Sequence, residues 1–227
     1  MNNPSSDGQK QLPEQEEAIK AFFERDLNLF VSLLTGAGKS LIFQSLTVVF
    51  DSLFGNPRGT SVLVVISPLK ALMKDQVEYL QNLGIPSVAV VDELCSDPDT
   101  IQQVKNGAYT VVYGSPECFL SSETWRDIFS DTESTSKVVA KWFGCLGELR
   151  ALVPKNTKLV IVTATATKAT KAQILESLDI NVDQLYTVEQ NPNRMNLMYM
   201  LSYMDKESGL EVSGTELQRL SAKLKEQ

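Results

Sequence analysis

Histidine is absent from this chain of 227 residues, cysteine occurs three times, and aromatic side chains make up only 7%. Without histidine there is no Ser-His-Asp triad, no Cys-His nucleophile, no His-ligated metal and no imidazole general base. Cys95, Cys118 and Cys145 are odd in number and too far apart for a Cys-x-x-Cys clamp. They read as reduced thiols of an intracellular protein, with neither a disulfide framework nor zinc. Long apolar runs are missing too: the longest, Val62 to Ile66, is far short of the roughly 20 residues that cross a bilayer. No membrane partner is expected. Basic charge is scarce, with 21 Lys+Arg against 28 Asp+Glu and a net charge of −7. That excludes a basic coat for nucleic acid but not a local basic groove. Residues 1–11 are polar and small, lack signal-peptide character, and read as a disordered lead-in.

What is present is an alternation of apolar strands and amphipathic helices. Helices are predicted from Pro13 to about Arg25, Lys39 to Phe54, Leu69 to Leu83, Pro98 to Asn106, after Glu117, Lys141 to Leu152 and Lys168 to Leu178. Strands are predicted at Leu27–Leu33, Val62–Ile66, Ser87–Val91, Tyr109–Tyr113, Lys137–Ala140, Lys158–Val162 and Gln184–Val188. Continuous apolar strands separated by helices imply an α/β fold with a mainly parallel sheet covered by helices on both faces. A polar helix is predicted near Thr215 to Gln227.

The strongest chemical string is Thr35-Gly36-Ala37-Gly38-Lys39-Ser40, after a strand and opening a helix, the context a phosphate loop requires. Gly36 and Gly38 let backbone N–H groups turn toward a phosphate, and the helix N-terminus adds partial positive charge. Lys39 is placed to reach the β- and γ-phosphates and Ser40 to hold Mg²⁺. The strict pattern has Gly where this chain has Leu33.

Hydrolysis also needs an apolar strand ending in an acidic pair to hold Mg²⁺ and orient water. Val88-Ala-Val-Val-Asp92-Glu93 fits that pattern, and fits equally an edge strand ending in a solvated acidic turn. Ser67-Pro-Leu-Lys70-Ala-Leu-Met-Lys74-Asp-Gln76 starts a helix with a Ser cap and sets two lysines one turn apart. That pair either grips a phosphate backbone or forms a solvated face. Gly114-Ser115-Pro-Glu117 offers N–H groups at another helix start. Thr163-Ala-Thr165-Ala-Thr167 presents hydroxyls that either sense a γ-phosphate or cap the next helix.

In their order, these strings resemble the first RecA-like domain of a RecQ-family DNA helicase, within helicase superfamily 2, over roughly Leu12 to Leu197. The replaced first glycine is a known variant of the helicase phosphate loop. The resemblance implies an ATP-dependent 3'-5' DNA helicase of repair and recombination, using ATP and Mg²⁺ on single-stranded or forked DNA in the nucleus. It implies that Gln15 reads adenine and that residues 35–40 bind ATP. Ser67, Lys70, Lys74, Gln76, Ser115 and Glu117 are implied to meet DNA. Leu146-Gly-Glu-Leu-Arg150, Thr163 and Thr165 are implied to couple ATP to DNA, and Asn191-Pro-Asn-Arg-Met-Asn-Leu197 to lead toward a second RecA-like domain.

The departures carry equal weight. The family places an Asp-Glu-Ala-His string and an aromatic-rich loop between the Ser-Pro-Glu strand and Leu-Gly-Glu-Leu-Arg. Here Lys137-Val-Val-Ala140 runs straight into Lys141-Trp142-Phe-Gly144, with Trp142 as a remnant of that loop. By family order Asp92-Glu93 falls on the wrong strand to replace the lost acids. Residues 12–197 are expected to form the ATP-binding domain, and residues 198–227 to begin a connection to an absent second RecA-like domain. The expectation is a lobe that binds ATP-Mg²⁺, and single-stranded DNA weakly, without turnover. A non-enzymatic nucleotide-binding fragment or splice product is the alternative, and a different P-loop ATPase using Asp92 and Glu93 a third.

Overall fold

The computed structural model describes residues 13–130, 140–141, 148, 150–151, 153 and 157–191. The predicted lead-in, the strand start at 137–139, Cys145, Trp142 and nearly all of the 141–152 helix lie outside them. So do the exit motif beyond Asn191 and the helix near Thr215.

The elements alternate from the start: α1 (Pro13–Glu24), β1 (Asn28–Ser32), α2 (Lys39–Leu53), β2 (Leu63–Ile66), α3 (Lys70–Asn82) and β3 (Ser87–Val90). After a 3-10 turn at Asp92–Cys95 come α4 (Pro98–Lys105), β4 (Val111–Gly114), α5 (Pro116–Ser121) and α6 (Glu123–Ser130). The described residues continue with β5 (Ala140–Lys141), β6 (Val160–Thr163), α7 (Lys168–Ser177) and β7 (Leu185–Glu189).

Among the described residues every strand pairing is parallel. The strands form two ladders, ordered β6-β1-β7 and β3-β4-β2-β5. Two-residue β5 pairs with β2 (Val64 with Ala140, Val65 with Lys141) and lies beside β6. Lys141 is therefore strand, where the sequence predicted the first residue of a helix. The apolar run that defines a strand had ended at Ala140, and only the pairing partner on β2 extends it.

Strand alternation sends neighbouring residues to opposite faces. Leu29, Val31, Leu63, Val65, Val160 and Val162 pack with α1, α2 and α3. Phe30, Val64, Ile66, Val112 and Ile161 pack with α5, α6 and α7. Trp125 of α6 is fully buried, edge-on to Phe119 at 5.3 Å. Its indole donates to the Cys95 carbonyl at 2.8 Å. Gly114 permits this second core, because a Cβ there would sit 2.1 Å from the Phe119 ring.

Helix termini are held by local chemistry and by distant residues. Asp97 accepts from Thr100 N–H to cap α4, Ser115 accepts from Cys118 N–H to cap α5, and Thr167 accepts from Thr170 N–H to cap α7. α1 has no basic residue in its last turn. Lys158 replaces one, its amine donating to the Phe22 and Arg25 carbonyls at 2.7 and 2.6 Å. Buried Asp51 accepts from the N–H groups of Gly59, Thr60 and Ser61 and from the Ser61 hydroxyl, pinning the 55–61 turn onto α2.

Two sequence readings are corrected. The predicted Ser cap of α3 is not made: its N-cap is Leu69, without a side-chain cap. Ser67 Oγ instead accepts from Leu69 N–H at 3.4 Å, a local turn that competes with capping. Cys95 and Cys118, read as separate reduced thiols, form a disulfide with their Cα atoms 5.5 Å apart. The turn after β3 folds back on α5, a proximity that a separation of 23 residues does not disclose.

Candidate functional site

Five chemistry-bearing strings leave the carboxyl ends of parallel strands: residues 35–40 after β1, Ser67 after β2, Asp92 after β3, Ser115 after β4 and Thr165 after β6, while Gln15 stands on α1. Ligands bind along this edge in open α/β sheets.

The loop between β1 and α2 is built to receive an anion. Gly36 and Gly38 have φ of +88° and +65°, left-handed conformations that glycine adopts without steric cost. Gly38 is the N-cap of the 15-residue α2 and offers no side-chain cap, while Leu41 N–H closes the first turn on the Gly38 carbonyl at 3.0 Å. That is the arrangement a phosphate completes. Thr35, Gly36 and Gly38 are exposed, Ala37 is buried, and Lys39 and Ser40 are half-buried.

The Lys39 ammonium donates to the Leu33 and Leu34 carbonyls at 2.9 Å each. Burial holds the amine below the ordinary lysine range. Leu33, standing where the strict pattern has glycine, is itself a core residue. Its carbonyl, not its side chain, serves the loop.

Gln15 is buried and its Nε2 donates to the Ala37 carbonyl at 2.9 Å, with Gly38 O at 3.4 Å. The residue expected at adenine thus also braces the phosphate loop. A Cβ on Gly38 would lie 2.2 Å from Gln15 Nε2.

Ser40, expected on Mg²⁺, accepts from Gln76 Nε2 at 3.3 Å. The two strings meet across the C-terminal edge, and Gln76, expected on DNA, points toward the nucleotide loop. Among the described residues no group of three or more His, Cys, Asp or Glu could hold a metal ion. Ser40 with nucleotide phosphates is a sparse donor set, since Mg²⁺ ordinarily takes one or two carboxylates as well.

Lys70 and Lys74 are exposed at the start of α3. Lys70 Nζ lies 2.5 Å from Asp92 Oδ1 and Lys74 Nζ 3.9 Å from Asp92 Oδ2. The Lys70 hydrogen bond holds the Asp92 carboxyl below its usual range, and the same bond raises the Lys70 amine. Exposed Glu117 adds a further attraction on Lys70. Asp92 is therefore committed to lysines. Sequence reasoning missed this pairing because it weighed Asp92 as a Mg²⁺ ligand or a solvated acidic turn, and nothing in linear spacing joins it to α3.

Ser115 is buried and spends its hydroxyl on the α5 cap. Buried Thr163 donates to the Thr165 carbonyl at 3.0 Å and accepts from Thr165 N–H. The Thr163 carbonyl accepts from Leu33 N–H at 3.2 Å, so the threonine turn is bonded directly to the strand that feeds the phosphate loop. Thr165 is exposed, and Thr167 is the residue that caps.

The fold is similar to that of the Hef helicase domain of Pyrococcus furiosus, with a TM-score of 0.56 and 18% identity over 78% of this chain and 38% of that one. By sequence the chain is similar to the ATP-dependent helicase SGS1 of Saccharomyces cerevisiae, 29% identical over 88% of this chain and 14% of that protein. It is also similar to the ATP-dependent DNA helicase RecQ of Haemophilus influenzae, 32% identical over 82% of this chain and 30% of that protein. The chain thus spans less than a third of the length of these curated relatives. The model of the DEAD/DEAH box helicases matches residues 12–173. With its phosphate loop, threonine turn and parallel sheet in the matched span, the chain belongs to the DEAD/DEAH box helicase family.

Proposed function

We propose that this RecA-like lobe of a RecQ-type helicase binds ATP-Mg²⁺ on residues 35–40 and holds single-stranded DNA weakly through Lys70 and Lys74, without hydrolysing nucleotide by itself. The observation that carries this reading is the left-handed glycine loop at the uncapped start of α2, with Lys39 folded into it. Gln15 stays beside the base as well as bracing the loop, and Ser40 takes Mg²⁺ together with the phosphates. When bound, Mg²⁺ supplies charge neutralisation on the phosphate oxygens. The 3'-5' helicase activity, the forked DNA substrate, the roles in repair and recombination and the nuclear location are proposals for the whole protein, drawn from its relatives.

Two facts argue against turnover. The Asp-Glu-Ala-His string does not occur in the sequence, and Asp92 is engaged by Lys70 and Lys74. The sheet position that would carry the acids is the two-residue β5. Calorimetry with ATP-Mg²⁺ tests the reading: heat should be measurable for the wild-type chain and absent for Lys39→Ala. Phosphate release with added single-stranded DNA should not exceed the Lys39→Ala background. Turnover abolished by Asp92→Asn would instead establish the Asp92 and Glu93 ATPase reading.

A further inference from the structure

Lys70 and Lys74 are the cations on which the weak single-strand reading depends, and both are already answered by protein charge. They stand at i and i+4 on α3, their side chains 52% and 63% exposed. Buried Met73 and Leu80, on the adjoining face of the helix, fix it on the core. Both carboxylate oxygens of Asp92 face this pair, Oδ1 toward Lys70 and Oδ2 toward Lys74. Glu117 approaches Lys70 from α5. Both lysines are therefore answered by the same carboxylate, with Glu78 and Glu93 lining the pocket that Lys74 and Asp92 share.

Asp92 does not reach these lysines by accident of a loose loop. It adopts φ +53°, a left-handed backbone that aspartate and asparagine tolerate better than other side chains. The turn it opens is closed by Leu94 N–H on the Val91 carbonyl at 3.1 Å. It is fastened to α6 through the Trp125 indole on the Cys95 carbonyl and to α5 through Cys95 and Cys118. The carboxylate is presented from an anchored position, at the end of the edge strand of its sheet.

We infer that Asp92 is the built-in counter-charge of the nucleic-acid face: it competes with backbone phosphate for Lys70 and Lys74 and sets how tightly this face holds a single strand. The inference rests on the reading that Lys70 and Lys74 meet nucleic acid. A phosphate can engage both lysines only by displacing Asp92, and the displaced carboxylate then lies beside the strand and repels it. The face is weak by construction, beyond the effect of the overall charge of −7.

Fluorescence anisotropy with a labelled oligothymidylate tests this on the full chain. Asp92→Asn keeps the shape and backbone preference of the residue while removing its charge. It should tighten binding roughly three- to tenfold at low salt, with the gain shrinking as salt rises. The slope of log affinity on log salt should steepen by about 0.7 for each phosphate newly neutralised. Asp183→Asn, the same charge change on an exposed turn at the amino end of β7, should leave affinity unchanged. Adding Lys70→Ala and Lys74→Ala to Asp92→Asn should cancel the gain. Equal binding by wild type and Asp92→Asn overturns the inference while leaving the single-strand reading intact. An equal gain from Asp183→Asn reduces it to net charge. Absence of binding by every variant overturns both.

Discussion

At the scale of single residues, the phosphate loop depends on a contact that no motif spells out. Gly38 must be glycine for two reasons that act together: its left-handed φ and the amide of Gln15 against its α-carbon. The far end of a glutamine is ordinarily movable, but this one is buried and bonded to Ala37 O. Gly38→Ala should therefore expel Gln15 from the loop and abolish ATP binding in calorimetry. Chemical denaturation should register a loss of about 1–2 kcal/mol from the left-handed backbone alone. A Gly38→Ala chain that binds ATP as the wild type does would remove Gln15 from the account of the loop.

Residue identity was legible where one side chain has one job. Spacing marks Gly36 and Gly38 as the turning points of the loop, and both adopt positive φ. Ser67, Ser115, Gln76 and Asp92 were harder, because each has more than one partner within reach. Ser67 closes a turn and does not cap α3, Ser115 is consumed as a cap, and Gln76 reaches Ser40. Linear spacing places such residues on an element but does not choose among the acceptors that folding brings near.

At the scale of elements, α3 touches both chemistries. Its first turn carries Lys70, and its second carries Lys74 and Gln76, whose amide donates to the proposed Mg²⁺ ligand. An N–H and a cation address the same serine lone pairs, so occupancy of Ser40 by Mg²⁺ disfavours the Gln76 bond. Gln76→Leu should lower the Mg²⁺ concentration needed to support ATP binding, and leave Mg²⁺-free ATP affinity unchanged. A titration of ATP affinity against Mg²⁺ distinguishes this from damage to the helix, which would weaken both.

Element type was readable for most of the described residues because most strands are continuous apolar runs and α1, α4, α5 and α7 open on Pro, Ser, Thr or Asp; Lys141, predicted helical, is strand only through its pairing with Val65. What the pattern did not disclose is long-range closure. Lys158 completes the end of α1 from more than 130 positions away in sequence. Cys95 meets Cys118 only because β3 and β4 are neighbours. Both depend on topology, which periodicity alone leaves open.

At the scale of the whole molecule, nearly all residues that could meet a ligand share one edge of the sheet, while the two cores that hold it lie on its faces. That separation makes the fold independent of the residues along this edge. The apolar faces of β1, β2, β4 and β6 stabilise the lobe through burial, to which the acids of a hydrolytic site contribute nothing. The proposed lobe, binding nucleotide without turnover, is consistent with that separation.

The two-residue strand β5 carries a consequence for time scales as well as for chemistry. It pairs with β2 through only Val64 and Val65, and among the described residues no ladder joins it to β6. Cooperative opening follows hydrogen-bonded continuity. The amides of β1, paired on both sides by β6 and β7, should exchange with deuterium as one protected group. Those of β4, paired by β2 and β3, should form a second group with its own opening rate. Mass-resolved exchange should then give two distinct protection classes across the strands, with ATP-Mg²⁺ slowing the β1 class first.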